Sequence, residues 1–550
     1  MFGNKIKKYS KTKLESYLTG VFFCIIFLSG FLMCQNARAA CTGSSPTWTT
    51  DGNEQADVEE CIAAASSGDT INVIAGDGEA TWVKLTISKP LKIIGPGASN
   101  LRVLWAPDLD PITSNAIMVA DIDDWEVSGF TFKSTSDVFG YCLFVRGSKG
   151  WRIHHNTFET YSAEARAHLV WVGLTTSNDV NGLIDNNISY NGRIYNTGNS
   201  ANQAMWGALW KNDYPLGMAG NGNAIYIEDN TFFSNQSSET ATGNVLDANR
   251  GSRTVFRYNT VRRYYVMQHA ISDIGRGPRT WEIYGNDLDR VDYNPSSGMY
   301  GIFFRGGTGV IHSNKIVNYN EGIRLNDDRS NYSDALKPAS DNTSVTSRCD
   351  GDNWIDGNVT NPATGYVDGW PCRDQIGRGA DATLWTTVNS TAGPAQASQP
   401  AYLWLNYDDS DAIIKATFPT DTNTSWDNNV TGLTAAHIKT NRDFFDYNPD
   451  NTTGSIGTVG NNATGGVGCG PARPATCTVD AGYWETTQSC SDIAGMVGAS
   501  PITLISGTLY KCTATDTWTE YYEPYTYPHP LRTEVSDVVA PASPTGLAVS

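Results

Sequence analysis

The chain has 550 residues and carries a formal charge of −18. A surface this acidic excludes nucleic acid as a partner, because phosphate backbones are drawn to basic proteins. It repels acidic polymers as well, unless basic groups are gathered in one place.

The chain opens on a secretory pattern over residues 1–39. Lys5, Lys7, Lys8, Lys11 and Lys13 precede the apolar run "TGVFFCIIFLSGFLMC", and Ala37-Arg38-Ala39 is a small-x-small cleavage site. The run is short for a membrane span and is interrupted by Gly20, Ser29 and Gly30. No later stretch is apolar enough to cross a bilayer. The mature protein is therefore expected outside the cytoplasm, whether extracellular, at the cell surface or in the periplasm, with no stable membrane insertion. Removing 1–39 takes away six basic residues and one acid and leaves a charge of −23. Nine cysteines remain, and export favours disulfides. Cys41 with Cys61 and Cys349 with Cys372 are the expected pairs. Cys469, Cys477, Cys490 and Cys512 form two more in an open pairing, and Cys142, in the apolar "YCLFV", is left unpaired and buried.

"DVEECIAAASSGD" at 57–69 has an Asp start, an apolar stripe and a Gly stop, which predicts a short helix. "TINVIAG" and "LTISKPLKIIGPG" follow as strands. Beyond them an apolar-x-x-Asn-x-apolar pattern recurs, as in "IHHNTF", "LIDNNI", "IEDNTF", "FRYNTV", "IYGNDL" and "IHSNKI". Its asparagines are Asn156, Asn186, Asn230, Asn259, Asn286 and Asn314, separated by 30, 44, 29, 27 and 28 residues. "VSGFTF" at 127–132 is a further copy with Phe130 in the asparagine slot. Strand units repeating at this period mark a solenoid whose coils stack roughly 4.8 Å apart. An asparagine at the same turn of each coil can bond to the next, and it tolerates the left-handed conformation of a turn.

The segment "DVEECIAAASSGDTINVIAG" resembles the N-terminal cap and first coil of right-handed parallel β-helix proteins of the pectin-lyase-like superfamily. The "NTF" coil endings are similar too, and the resemblance covers roughly residues 48–335. It implies an all-β, right-handed parallel β-helix with a short N-terminal capping helix and an irregular C-terminal extension. That superfamily holds polysaccharide lyases, glycoside hydrolases, epimerases, adhesins and plain surface proteins, so the fold alone does not choose among them.

Two octets read Asp-x-x-Arg-Gly-x-Arg-Thr: "DANRGSRT" from Asp247 and "DIGRGPRT" from Asp273. Arg146, Arg250, Arg276 and Arg305 precede their coil's asparagine by nine or ten residues. Arg250, Arg276 and Arg305 are thus expected to stack in consecutive coils, with Arg324 continuing the column and Arg253 and Arg279 as a parallel pair. Such a column is either an external salt ladder with Asp247 and Asp273 or a track for an acidic polysaccharide, whose carboxylates match Arg forks. Elimination from a uronate needs its carboxylate neutralised, a base for the C5 proton and an acid for the leaving oxygen. Arg250, Arg276 and Arg305 are candidate neutralisers or bases, since in lyases of this superfamily an arginine or lysine often serves as base. His269 is a candidate for proton transfer. Asp247 and Asp273, stacked one coil apart, are candidates to share a calcium ion.

Hydrolysis is the rival chemistry. Polygalacturonase-type hydrolases carry Gly-His-Gly and Arg-Ile-Lys segments, and this chain has neither, although it has Asp-Asp at 327–328. "RGPRT" and "YIEDN" match the pectate-lyase segments only loosely. A non-catalytic adhesion protein is the main alternative. Glu228 with Arg257 reads as an outward stabilising pair, and His154 and His312 as solvated neighbours in the same slot. Trp206, Trp210 and Tyr214, in an inserted coil, are candidates for stacking on sugar. Residues 336–535 read as an extension that caps a solenoid spanning 40–335, and 536–550 as a Pro/Ser/Ala linker or tail. The protein is expected to be a monomer.

Overall fold

The computed structural model describes residues 41–106, 115–136, 140–160, 167–173, 180–197, 224–234, 243–249, 251–269, 277–291, 300–326, 376–377, 398–418, 438–461, 463–499 and 501–532. The expected leader, the tail from 536, Cys349 and Cys372 lie outside the described residues, as do Arg250, Asp273, Arg276, Trp206, Trp210 and Tyr214.

Three long sheets run the length of the described chain, and each takes one strand from every coil. Apart from the antiparallel pair at the very N-terminus, their pairings are parallel. Sheet A includes Trp151–His154, Gly182–Asp185, Ile225–Glu228, Arg253–Arg257, Thr280–Tyr284 and Thr308–His312. Sheet B carries the short strands that follow each asparagine, and sheet C the strands that follow those. This is a right-handed parallel β-helix, the hand that parallel crossovers take.

Period-two alternation aims one apolar column of each sheet into the coil. On sheet A the column runs Ile153, Ile184, Ile227, Phe256, Ile283, Ile311 and Leu403. On sheet C it runs Leu143, Val170, Ile194, Leu246, Val266, Ile302 and Ile323. All are buried. Like side chains thus stack at the rung spacing along the inside of the tube.

The helix spans Gln55–Ala64 and is displaced from the predicted 57–69. Asp57 is not its cap but lies inside its first turn, where its carboxylate accepts from the Glu54 amide. The Gly stop belongs to a separate turn, in which the Ser66 amide donates to Asp69 at 2.8 Å. Cys41–Cys61 ties the helix to the first strand, as expected. The late cysteines pair as Cys469–Cys490 and Cys477–Cys512, and Cys142 is buried and unpaired.

The asparagine stack exists, with one register correction. Asn187, not Asn186, occupies the rung: Thr157 stands opposite Ile188, which places Asn156 above Asn187. The stack is Asn156, Asn187, Asn230, Asn259, Asn286, Asn314 and Asn406, each amide donating to the side-chain oxygen of the next at 2.9–3.2 Å. Phe130 closes it, its backbone N–H donating to the Asn156 oxygen. The left-handed residue is the one before the rung: His155, Asn186, Asp229, Tyr258, Gly285, Ser313 and Leu405 have φ between 52° and 66°. The rung asparagines themselves have ordinary φ. Their amides are needed to satisfy buried carbonyls, such as Ile227 and Arg257 by Asn259, rather than to tolerate the turn.

The stack does not stop at 335. Ala401–Trp404 pairs with Thr308–His312 and then with Phe444–Phe445, while Ala416–Thr417 extends sheet C. The expected extension therefore supplies further rungs before it folds back. Its last part forms a four-stranded sheet of Val467–Gly470, Gly482–Glu485, Thr508–Ala514 and Thr517–Tyr522. This sheet lies over the outer face of sheet A, where Tyr226, Tyr284, Tyr402 and Trp404 pack with Trp484, Leu509 and Tyr522.

That cover overturns two expectations. His312 is not solvated: it is fully buried and stacked between Tyr284 and Trp404 at 4.8 and 4.3 Å. His154 is buried too, bonded to Glu126 at 2.8 Å. Glu228 and Arg257 do pair across the sheet, but both are 0% exposed.

Glu282, on the same face, is pushed by burial from 4.5 up to about 8. The folded state thus holds a proton that the unfolded chain has released. The resulting stabilisation is fully present below pH 4.5 and is lost as pH rises through 8. Asp446, raised to about 7, has the same sign. Thermal unfolding between pH 5 and 9 is expected to show a falling midpoint, and Glu282→Gln to flatten that fall; an unchanged slope in the variant would refute the assignment.

Candidate functional site

Sheet C keeps an outer face that the C-terminal sheet does not cover. Three outward columns of residues define it. The middle column runs Phe144, Trp171, Tyr195, Asp247, Met267, Phe303 and Arg324. Toward the strand starts stand Arg193, Asn244, Tyr265, Tyr300 and Glu321. At the strand ends Arg146 faces Gly173, and Thr197 faces Asn249. His269 and Arg305 continue that edge, their amides bonding to Ala248 and Gln268 of the preceding coil.

The register separates the two octets. Asp247 stands opposite Met267, and Asp273 lies outside the described residues. Between His269 and Thr280 the coil holds a longer connection than between Asn249 and Arg253, and that connection contains the second octet. Arg305 faces His269 and, one coil earlier, Asn249 rather than an arginine. Arg324 continues the column of Asp247, not that of Arg305. Arg253 faces Thr280 on sheet A, so Arg279 is one residue out of step with it. Arg253 is 1% exposed, and Arg279 donates to Gln399. Counting back from the asparagine fails here because the turn between sheets C and A changes length from coil to coil.

What the fold does assemble is a compact centre around Asp247. Its Oδ1 lies 3.1 Å from His269 Nδ1, and its Oδ2 lies 3.6 Å from Arg193. Asn249 also donates to Asp247, and Arg193 donates to Asn244 at 3.1 Å. In the neutral tautomer that donates Nδ1–H to the carboxylate, the other ring nitrogen of His269 carries the lone pair. The His269 side chain is 28% exposed and Arg193 21%, so the centre is reachable from solvent. Tyr265 sits in the field of Arg305, Asp247 and Arg193, and burial raises its phenol well above the ordinary range, which keeps it protonated.

Arg305 and Arg324 form the C-terminal side of this centre. Arg305 lies over the Phe303 ring at 4.8 Å. Arg324 lies over Tyr300 at 5.3 Å and reaches Glu321 at 3.4 Å. The rings hold the guanidinium planes in fixed orientations. Both arginines are more than nine-tenths buried.

Calcium takes six to eight oxygen ligands. Asp247 already bonds to His269 and pairs with Arg193, and among the described residues no group of three or more His, Cys, Asp or Glu is placed to hold a metal ion. Of the two carboxylates expected to share a calcium ion, only Asp247 lies among the described residues. No described helix is long and apolar enough to cross a membrane.

Arg193, Tyr265 and Tyr300 are functional candidates that the motif reading missed. Arg193 and Tyr265 each fall six residues after their rung asparagine, Asn187 and Asn259, so a forward count from the corrected ladder finds them. Tyr300 follows a longer connection and carries no such signal.

No family model matches the chain, and no curated protein matches it. Among solved structures it is similar to an alginate lyase from Paenibacillus sp. str. FPU-7, with 14% identity over 49% of this chain and 94% of that one and a TM-score of 0.26. It is also similar to alginate lyase AlyF-OU02 in complex with G6, with 12% identity over 72% of this chain and 90% of that one and a TM-score of 0.32. Superpositions this loose do not lay one site on another, and no residue role is carried across.

Proposed function

We propose that the outer face of sheet C binds an acidic, uronate-containing polysaccharide and cleaves it by β-elimination. The observation that carries this reading is the Asp247–His269 pair, its carboxylate buried and its imidazole partly exposed, flanked by Arg193 and Arg305 in an otherwise strongly acidic chain. His269, oriented by Asp247, takes the C5 proton. The electrons form the C4–C5 double bond, and the bond from C4 to the glycosidic oxygen breaks. That oxygen receives a proton from Tyr265 or water. Arg193 offsets the carboxylate charge that builds up at C5.

Hydrolysis is the weaker reading. Asp247 and Glu321 lie three rungs apart, about 14 Å at the rung spacing. That is wider than the roughly 5–9.5 Å between paired glycosidase carboxylates. An adhesion role remains the alternative, because Asp247 and Glu321 each pair with an arginine on the face.

The proposal also carries export, consistent with three disulfides, and membership of the pectin-lyase-like superfamily. Incubation with pectate, alginate and glycosaminoglycans, with and without calcium, tests it through the absorbance of the unsaturated product. We expect a rise on at least one polyuronate without added metal. New reducing ends without that absorbance would indicate hydrolysis, and no reaction by the folded protein would leave adhesion.

A further inference from the structure

The same face carries a second built feature, three coils before His269. Trp171 projects outward from Ala167–Gly173, and its indole folds back over Gly173. A Cβ at Gly173 would meet the indole Cζ2 at 3.1 Å and Cε2 at 3.2 Å, so any side chain there would push the ring from its place. The indole N–H donates to Thr197 Oγ1 at 2.8 Å. Tyr141 stacks on it at 4.7 Å, and Phe144 meets it edge-on at 4.2 Å. Four neighbours thus fix the orientation of a ring that is only half-buried. Such a ring is costly to hold in water unless something covers it, and a rigid indole loses little entropy when it does.

Arg146, which is exposed, stands directly opposite Gly173. A cation beside a flat apolar plate matches a uronate, which offers an apolar pyranose face and a carboxylate at its rim. Tyr195, on the next coil toward His269, is also half-buried and lies nearly parallel to Tyr141. The column therefore leads from the plate to the Asp247–His269 centre without a break.

We propose that Trp171 is the floor of a remote pyranose-stacking subsite and that Arg146 reads the carboxylate of the sugar bound there. The inference rests on the polyuronate reading of the face and adds a length requirement to it. Gly173 is three rungs from His269, about 14 Å. Only a substrate several sugars long reaches both places at once, so the subsite selects long chains.

Binding to an inactive His269→Ala background tests this, with size-defined oligouronates followed by calorimetry and affinity electrophoresis. Adding Trp171→Ala is expected to raise Kd for hexamers and longer by about tenfold, in line with the loss of about 1.4 kcal/mol. The trisaccharide is expected to change far less. Arg146→Ala and Gly173→Val, which displaces the indole without removing it, are expected to act in the same length-dependent way and keep the test alive if Trp171→Ala fails to fold. Equal loss at every length, or no loss at any, overturns the proposal. Failure of the elimination reading shows separately: the wild type would yield no unsaturated product while the length-dependent binding persisted.

Discussion

His269→Ala is expected to lower kcat on polyuronate by about 10²- to 10⁴-fold, the range of a positioned acid–base group. The ring sits at the edge of the sheet C face, bonded to Asp247 at 3.1 Å and partly open to water, so its removal takes away chemistry and little packing. The unfolding midpoint should stay near that of the wild type. Asp247→Asn is expected to lower kcat as well, since an amide does not hold the same tautomer of the imidazole. It also weakens the contact to Arg193, so KM should rise with it. Activity of His269→Ala within threefold of the wild type would remove the histidine from the mechanism and return the face to a binding role.

The largest stability effect is expected under the C-terminal segment. Arg257 is fully buried and holds Glu228 while donating to the backbone carbonyls of Tyr525 and Thr526 at 2.7 and 2.9 Å. Tyr527 donates to Asp229, and Arg532 reaches both Glu228 and Asp229. One guanidinium thus closes an ion pair and fastens the chain that covers it. Arg257→Ala leaves Glu228 short of its principal counter-charge in a dry environment and is expected to cost about 3–5 kcal/mol. It should also release the segment around 525–532 to proteolysis. The double variant Glu228→Leu with Arg257→Met removes both charges together and is expected to recover most of the loss. A cost below about 1 kcal/mol, read from denaturant midpoints, would mean that the pair contributes no more than a surface bridge.

The architecture was legible because it is written at a fixed period. The apolar flanks of Asn156, Asn230, Asn259, Asn286 and Asn314 repeat with each coil, and a repeating strand unit has few ways to bury its apolar side other than on its own copies. Even so, the doublet Asn186-Asn187 misled by one residue. Both satisfy the pattern, and only the pairing of Thr157 with Ile188 chooses between them. The pairing Cys41–Cys61 followed from proximity in the chain, whereas Cys469–Cys490 and Cys477–Cys512 depended on how the last sheet folds.

The candidate site was only half visible. Asp247 and His269 were named for other partners, and the fold joined them to each other across one rung. Of the expected arginine column only Arg305 and Arg324 are described, and they stand in different columns, since a motif repeated in sequence repeats in space only where the intervening turns have equal length. Here the connection after His269 is longer than the one after Asn249. His312 looked solvated, and Glu228 a member of an outward pair, for a related reason: alternation places them on the outside of the coil, and nothing local announces that the C-terminal segment will cover that outside. By itself, then, the sequence determined the coil, its inward columns and its N-terminal lock, which are properties of short segments and their period. Which charges meet on the outer face of sheet C, and what covers the outer face of sheet A, was decided by tertiary structure, because both depend on turn lengths and on contacts between residues as much as 301 positions apart.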